Sequence, residues 1–213
     1  MSGDPFGGRV PTSHERMTGL PWDASYRDGP APWDIDGPQP AIARVAAAGG
    51  ITGAVLDVGC GSGENALYVA SLGFSVLGVD VAETALARAG AKAAERGIEA
   101  EFAVADAFRL RSLGRCFDTV LDSGMFHTCA DDERPGYVAS LASVTEPGAT
   151  LYVLCFSDIG PDTGPHPVSR DALAAAFAPG TGWSVVAIEE GRVLTRFHGE
   201  AGAPAWLATL ERI

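Results

Sequence analysis

The 213-residue sequence is poor in basic groups: its formal net charge is −12, and Lys92 is the single lysine among fifteen Lys and Arg residues. Proteins that bind nucleic acids displace counterions with a basic surface, so this composition disfavours a nucleic-acid partner. The sequence also lacks an apolar run of about eighteen residues and a basic-then-apolar leader. We therefore expect a cytoplasmic protein with no membrane partner.

Cysteines are few, and their spacing is uninformative. The four cysteines form neither a CxxC pair nor a cysteine–histidine zinc spacing, and we expect reduced thiols. The carboxylates show no ligand cluster either, so no metal is expected. There are no internal repeats, and 46% of the residues are apolar, which is enough for the core of a single domain.

The most informative stretch is Ala54–Gly63, AVLDVGCGSG. It begins with an apolar run of strand length. Three glycines then allow a tight turn into a helix: Gly59, Gly61 and Gly63. The next predicted strand, Ser75–Val79, is followed by Asp80. A glycine turn beside a carboxylate at the neighbouring strand end is typical of a nucleoside-binding site.

The glycine spacing distinguishes two nucleoside cofactors. Dinucleotide-binding folds use G-x-G-x-x-G, and their helix N-terminus receives a pyrophosphate. Here the spacing is G-x-G-x-G, and Asp57 precedes the first glycine by two residues. A carboxylate would repel a pyrophosphate but attract the ammonium group of an amino acid. The stretch resembles motif I of class I S-adenosylmethionine-dependent methyltransferases. The spacing disfavours an NAD-dependent oxidoreductase, whereas a non-catalytic protein that binds the same cofactor stays an alternative.

Predicted strands alternate with predicted helices along most of the chain. The first five strands are Ala54–Val58, Ser75–Val79, Glu101–Ala105, Phe117–Leu121 and Thr150–Phe156. This alternation predicts an α/β fold with a parallel sheet and helices on both faces. Further on, Ser184–Glu189 and Arg192–His198 predict a hairpin around Glu190-Gly191, and Ala205–Ile213 predicts a closing helix. The resemblance implies a Rossmann-like, doubly wound sheet of seven strands in the order 3-2-1-4-5-7-6, with the last strand antiparallel.

The N-terminal part is predicted to be organised separately. We expect a disordered tail over residues 1–19, a lid segment with a helix leading into the core over 20–50, and the methyltransferase domain over 51–213. Trp33 lies in PWDIDGPQP, which resembles the WD-x-G-x-x-x-P segment of thiopurine, thiol/halide and small-heterocycle methyltransferases. The resemblance covers nearly the whole chain from about Trp33 onward and implies that Trp33 contacts the cofactor.

The resemblance also assigns the cofactor, S-adenosyl-L-methionine, which leaves as S-adenosyl-L-homocysteine. It implies that Asp80 accepts hydrogen bonds from both ribose hydroxyls and that Asp106 accepts from the adenine amino group; a helix cap is the alternative for Asp106. Ser123 is expected to face the methionyl end. The complete predicted cofactor set is Trp33, Asp57, Gly59, Gly61, Gly63, Asp80, Val81, Asp106, Ala107 and Ser123.

A second stretch, Asp118–Ala130, bears on the methyl acceptor. Its sequence, DTVLDSGMFHTCA, lacks the proline pair with which DNA adenine methyltransferases grip a flipped base. Met125, Phe126, His127 and His166 are expected to border the acceptor, although Met125 and Phe126 equally fit a core. His127 is the candidate general base, with a packed histidine as the alternative. The expected acceptor is an N, O or S atom of a small heterocyclic or aromatic molecule; the alternative is a thiol, halide or thiopurine-type S-methyltransferase.

Overall fold

The computed structural model describes residues 5–160 and 166–213. Its strands are β1 Val55–Val58, β2 Val76–Asp80, β3 Glu101–Val104, β4 Phe117–Ser123, β5 Thr145–Phe156, β6 Trp183–Val193 and β7 Ala203–Arg212. They form one sheet in the order β3-β2-β1-β4-β5-β7-β6. Strands β1 to β5 pair in parallel, whereas β7 is antiparallel to both β5 and β6. The predicted seven-strand order and the antiparallel last strand are confirmed.

Helices cover both faces of this sheet. They are α1 Ser13–Thr18, α2 Ala24–Arg27, α3 Pro40–Ala47, α4 Glu64–Ser71, α5 Glu83–Arg96, α6 Arg134–Ala142 and α7 Arg170–Ala176. Successive strand residues alternate between two cores: Leu56 and Val120 belong to one, and Val55 and Leu121 to the other. Over the described ranges, no helix combines the length and the apolar character needed to cross a membrane.

Strand β1 lies at the point where the strand order reverses. Val58, its last residue, pairs with Val79 of β2 on one side and with Asp122 of β4 on the other. The connections from these strands leave in opposite directions, so their carboxyl ends leave a crevice between them. Any ligand site of this fold is therefore expected above the glycine turn that follows β1.

The C-terminal prediction was wrong in two respects. Strand β6 continues through Glu190-Gly191, where a turn was predicted, and pairs with β7 from Trp183↔Arg212 to Val193↔Ala203. The predicted closing helix, Ala205–Ile213, instead lies largely within β7. Because β7 lies between β5 and β6, both of its faces are largely buried and its sequence is apolar on both. A buried strand and a buried helix share that pattern.

The disordered tail expected over residues 1–19 is also corrected, because α1 lies within it. Thr12 and Glu15 form a capping box at its N-terminus. Glu15 is fully buried, and its carboxylate accepts a hydrogen bond from Arg9 at 2.7 Å. Ser13 donates to the backbone carbonyl of Thr128 at 3.0 Å, which ties this segment to the loop after β4. Residues 1–4 of the expected tail lie outside the described residues.

Candidate active site

A cavity of about 290 Å³ lies at the carboxyl ends of the central strands. Gly59, Asp80, Asp106 and Ser123 line it from the residues that end or follow β1 to β4. Residues 9–39, called the cover below, contribute the opposite wall through several side chains: Arg9, Thr12, His14, Trp22, Tyr26, Trp33 and Gln39. The cavity therefore lies between the sheet and the cover. The lid segment predicted from the sequence began at residue 20 and so included only the C-terminal part of the cover.

The three glycines after β1 have different roles. All three have a positive φ, 68° at Gly59, 54° at Gly61 and 84° at Gly63, a region that favours glycine. Gly59 lines the main cavity, and Gly61 lines a smaller pocket of about 70 Å³ beside it. A Cβ at Gly63 would lie 2.8 Å from Cβ of Ala89 in α5. Gly63 lines neither pocket, so close helix packing explains this glycine and the predicted cofactor contact has no structural support.

Asp80 holds the glycine turn against β2. Its carboxylate oxygens accept hydrogen bonds from the backbone amides of Gly61 and Ala82, each at 2.8 Å. Burial raises the pKa of Asp80, although these amides oppose the shift. Asp80 lines the cavity together with Val81. Because each carboxylate oxygen has two lone pairs, Asp80 can still accept hydrogen bonds from the hydroxyls of a ligand.

Asp57 leaves a buried oxygen without a hydrogen-bond partner. The residue is 1% exposed, and its Oδ2 has no partner among the described residues. Burial raises the pKa of Asp57 to about 7, and repulsion by Asp122 and Asp80 adds to the shift. An unsatisfied buried carboxyl oxygen is costly unless a ligand supplies a donor or a positive charge. Asp57 is not itself part of the cavity wall.

Asp106 caps a helix, which was the alternative to a contact with the adenine amino group. Its carboxylate accepts the backbone amide of Phe108 at 2.9 Å, at the start of the 3-10 helix Ala107–Leu113. Asp106 and Ala107 both line the cavity as well. The cap uses Oδ1, and Oδ2 has Arg109 at 3.9 Å, so the cap and a ligand contact are compatible.

Asp122, which the sequence did not single out, organises the loop after β4. It is fully buried and accepts hydrogen bonds from the Tyr137 hydroxyl at 2.7 Å and from the Met125 amide at 2.8 Å. Burial raises the pKa of Asp122 to about 6, against the effect of these bonds. The resulting turn brings Met125 to the cavity wall. Phe126 has the core position that was its alternative: it is fully buried, stacks on Phe177 with centroids 5.7 Å apart, and does not line the cavity.

His127 lines the cavity, but its surroundings disfavour the role of a general base. Its Nδ1 accepts the backbone amide of Phe156 at 3.4 Å. Burial, together with a smaller contribution from nearby His166 and His14, lowers the pKa of His127 to about 3. The ring is therefore neutral at pH 7 with its proton on Nε2, where it can donate but not accept.

All four histidines of the chain line this cavity. His14 stacks on Trp22 with ring centroids 4.3 Å apart, and His166 meets His14 edge-on at 6.2 Å. His198 Nδ1 lies 2.7 Å from the Thr195 hydroxyl. His166 was expected here. His14 and His198 were missed because no motif contains them, and their scarcity in the composition was the only available signal.

Trp33 lines the cavity from the cover, and its contact with the cofactor stays a prediction. Its indole Nε1 donates to the Tyr26 hydroxyl at 2.8 Å, and its ring meets Trp22 edge-on with centroids 5.6 Å apart. The same Tyr26 hydroxyl would lie 2.7 Å from a Cβ added at Gly61. The cover therefore rests directly on the glycine turn, and a side chain at position 61 would push it away.

Comparisons with known proteins agree with this geometry. A methyltransferase-domain family model matches residues 55–148. The 2-heptyl-1-hydroxyquinolin-4(1H)-one methyltransferase of Mycobacteroides abscessus is 41% identical over 146 residues, which are 67% of this chain and 64% of that protein. An uncharacterized methyltransferase of Schizosaccharomyces pombe is 36% identical over 104 residues, 49% of this chain and 72% of that protein.

A solved structure extends the similarity over more of the chain. It comes from work on the conversion of a disulfide bond into a thioacetal group during echinomycin biosynthesis, and it matches with a TM-score of 0.78 at 36% identity, covering 89% of each chain. The chain spans just under two thirds of the Mycobacteroides abscessus relative, 64%. Sheet order, glycine turn and relatives agree, and the chain belongs to the class I S-adenosylmethionine-dependent methyltransferases.

Proposed function

We propose that the protein transfers a methyl group from S-adenosylmethionine to an N, O or S atom of a small aromatic or heterocyclic molecule, which reacts as its anion. The observation that carries this proposal is a single cavity with two unlike walls. One wall holds the strand-end residues Gly59 and Asp80, and the other is aromatic, with Trp22, Phe156 and Phe197. Supporting it, the relative from Mycobacteroides abscessus is named for a hydroxyquinolone substrate.

The strand ends fit the cofactor. Asp80 would accept hydrogen bonds from the ribose hydroxyls, and the partnerless oxygen of Asp57 matches a nearby ammonium group. The smaller pocket of about 70 Å³, lined by Gly61, Ser62 and Asn65 among others, would take the amino-acid end. When bound, the cofactor supplies an electrophilic methyl group on a positively charged sulfur.

Three buried or partly buried carboxyl groups determine the sign of the charge at this end of the site. Asp57, Asp80 and Asp122 come from β1, β2 and β4. Burial and, to a smaller extent, the charges of the other two raise the pKa of Asp57 to about 7, so this carboxyl group is fully ionised at pH 7 only beside a cation. A fixed negative environment favours a cation over a neutral molecule of the same shape. The site would therefore bind the positively charged donor in preference to its uncharged-sulfur product, which helps the product leave.

The acceptor wall would hold a planar molecule. His14 stacks on Trp22 at 4.3 Å, and His127 lies against Phe156 with centroids 4.4 Å apart. Flat, largely apolar surfaces with few polar groups bind aromatic rings by stacking and exclude water from the reacting atoms. Neutral His127 would donate its Nε2–H to a negatively charged oxygen, nitrogen or sulfur on that ring.

The acceptor would lose its proton to water, without help from His127. With a pKa of about 3, His127 would be too weak a base to deprotonate a neutral phenol, and its Nδ1 already accepts the Phe156 amide. Acceptors that lose their proton to water near neutral pH need no base. Thiols, N-hydroxy heterocycles and acidic phenols belong to this class. The protein would align the anion with the methyl group and keep water out.

The test is the pH dependence of kcat/KM for acceptors of different acidity. We expect the midpoint of each profile to follow the pKa of the acceptor and to be unchanged in His127→Ala. That variant should raise the KM of the acceptor about 10- to 100-fold, the value of a hydrogen bond to an anion, because this bond is at least as strong in the bound anion as in the transition state. A common midpoint for all acceptors that disappears in His127→Ala would instead identify His127 as a general base.

S-methylation is the second candidate. The similar solved protein comes from work on the conversion of a disulfide bond into a thioacetal group, which is sulfur chemistry. A thiolate is already ionised and needs no base, so it also fits this cavity. Assays with a thiophenol and a 1-hydroxyquinolin-4(1H)-one of similar size would separate S-methylation from methylation of a heterocycle. A higher kcat/KM for the thiophenol at equal ionised fraction would favour S-methylation.

A further inference from the structure

Lys92, the single lysine of the chain, makes two specific contacts although it lies outside the cavity wall. It lies on α5, where its ammonium group donates to the Ser62 hydroxyl at 2.6 Å and pairs with the Glu64 carboxylate at 2.8 Å. Its side chain is 23% exposed. A cation that reaches into the glycine turn from behind is an unusual use of the only lysine in an acidic protein.

Ser62 passes this contact on to the cover. It is buried, and its hydroxyl forms a short hydrogen bond with the carboxylate of Asp34. An ammonium group can only donate, so the Ser62 oxygen must accept from Lys92. The Ser62 hydroxyl proton is then available only to Asp34. The three groups form a directed chain from a cation through a hydroxyl to an anion, and both hydrogen bonds are charge-assisted.

Asp34 follows Trp33, one of the two tryptophans of the cover. A second contact also reaches Asp34: the Arg196 side chain donates to its backbone carbonyl at 2.7 Å. That bond fixes the main chain but leaves the Asp34 carboxylate to the Ser62 hydroxyl. The side chain of Asp34 therefore connects the cover with the glycine turn, and Lys92 stabilises the connection from the far side.

We propose that Lys92 is a positioning residue: through Ser62 it holds Asp34 against the glycine turn and thereby keeps Trp33 over the cofactor site. Its effect on affinity rests on the proposed function, because the ligand of that site is the proposed cofactor. If Lys92 is removed, Asp34 and Ser62 lose their cation and the closed cover becomes less populated. Apparent affinity falls in proportion to the closed fraction, and we expect about threefold to tenfold.

The structure supplies a matched control. Arg96 binds Glu64 through two hydrogen bonds, at 2.8 and 2.9 Å, from the same helix as Lys92. Arg96 donates its hydrogen bonds to Glu64 and not to Ser62, and at longer range its charge also interacts with Glu95 and with Asp36 of the cover. Arg96→Met therefore removes a cation from Glu64 and leaves the chain from Lys92 to Asp34 in place.

The first experiment is a double-mutant cycle on the affinity for S-adenosylhomocysteine, measured by calorimetry on the full chain. Asp34→Ala and Lys92→Met should each weaken binding about threefold to tenfold, and the double variant should be no weaker than the weaker single variant. Lys92→Arg should retain most of the wild-type affinity, and the affinity of Arg96→Met should stay within about twofold of the wild type. At saturating cofactor, the kcat of Lys92→Met should differ from that of the wild type by less than about twofold. The proposal would be overturned if the loss of affinity in the double variant equalled the product of the two single losses, or if Arg96→Met lost as much affinity as Lys92→Met.

The second experiment needs no cofactor. Because Lys92 is the only lysine, an acylating reagent followed by peptide mass analysis compares it with a single internal reference, the α-amino group of the chain. Asp34→Ala should increase the relative labelling rate of Lys92 about threefold or more, and an unchanged rate would overturn the connection. If labelling responds but no variant binds S-adenosylhomocysteine, the connection stands and the proposed cofactor is refuted.

Discussion

Asp57→Asn should stabilise the protein at high pH and weaken cofactor binding. Asp57 is buried at the end of β1, where burial and the charges of Asp122 and Asp80 raise its pKa from 3.8 to about 7. The folded state therefore holds a proton that the unfolded state has already released. Stability from this group is fully present below about pH 4 and is lost as the pH rises through about 7. Asparagine has nearly the same shape and no charge to bury.

The expected magnitude follows from the two pKa values. Each pKa unit corresponds to about 1.36 kcal/mol, so a shift from 3.8 to about 7 costs the folded state about 4 kcal/mol once both states are ionised. Part of this cost is already present at pH 5, because the unfolded carboxyl group is ionised there. Between pH 5 and pH 8, the free energy of unfolding of Asp57→Asn should therefore rise relative to the wild type by about 2–3 kcal/mol.

Urea unfolding at pH 5 and pH 8 measures this difference, and calorimetry with S-adenosylhomocysteine measures the second effect. If the Asp57 carboxylate attracts the ammonium group of the ligand, the variant should bind about tenfold or more weakly at pH 8. A stability difference that is the same at both pH values would refute the buried-charge reasoning. Unchanged affinity at pH 8 would separate Asp57 from the ligand.

Three other substitutions test separate parts of the site. Asp80→Ala should weaken S-adenosylhomocysteine binding about 10- to 1000-fold by calorimetry, because two hydrogen bonds to a carboxylate are lost together; less than a threefold change would remove Asp80 from the site. Trp33→Ala should raise KM for both substrates, and S-adenosylhomocysteine should slow proteolysis of the cover in the wild type more than in the variant. Gly63→Ala should lower the free energy of unfolding by about 2–3 kcal/mol, since φ is 84° and the new Cβ would lie 2.8 Å from Ala89, while KM of the remaining folded enzyme stays near that of the wild type.

The parallel part of the sheet was predictable because its signals are local. The run Ala54–Val58, the glycines after it and Asp80 are adjacent in sequence or lie on consecutive strands. In a doubly wound sheet, such strand ends meet at one edge, so their convergence follows from the fold class alone. Asp80, Val81, Asp106, Ala107 and Ser123 consequently line one cavity, and their contact with the cofactor stays a prediction.

The C-terminal strands were not predictable from local pattern. Glu190-Gly191 reads as a turn, yet Gly191 pairs with Ala205 inside the β6–β7 ladder. β7 is apolar on both faces because it lies between two other strands, and although the family resemblance implied that strand order, no local pattern shows that residues 203–212 form the strand. Strand β5 begins at Thr145, before the predicted Thr150, and Pro147 and Gly148 lie where its register with β4 shifts.

The acceptor wall depends on contacts between distant segments. His14 belongs to α1, a six-residue helix that would be marginal alone and is tied down by buried Glu15 and by Ser13 bound to Thr128. His198 reaches the cavity from the connection between β6 and β7, which pairs with the cover through Gln39 and Leu194. Neither placement has a sequence signature. Met125 and Phe126 are adjacent, but only the side chain of Met125 faces the cavity. The turn that Asp122 stabilises determines which of the two does so.

Methyl transfer to an ionised acceptor is the central claim, and one incubation tests it directly. The purified protein, S-adenosylmethionine and a 1-hydroxyquinolin-4(1H)-one or thiophenol acceptor are combined at a pH above the pKa of the acceptor, and the products are analysed by mass spectrometry. The acceptor should gain one methyl group in place of its proton, with an equal amount of S-adenosylhomocysteine formed. Binding of NADH without S-adenosylmethionine, or bound S-adenosylmethionine that methylates no member of either acceptor class, would contradict this claim.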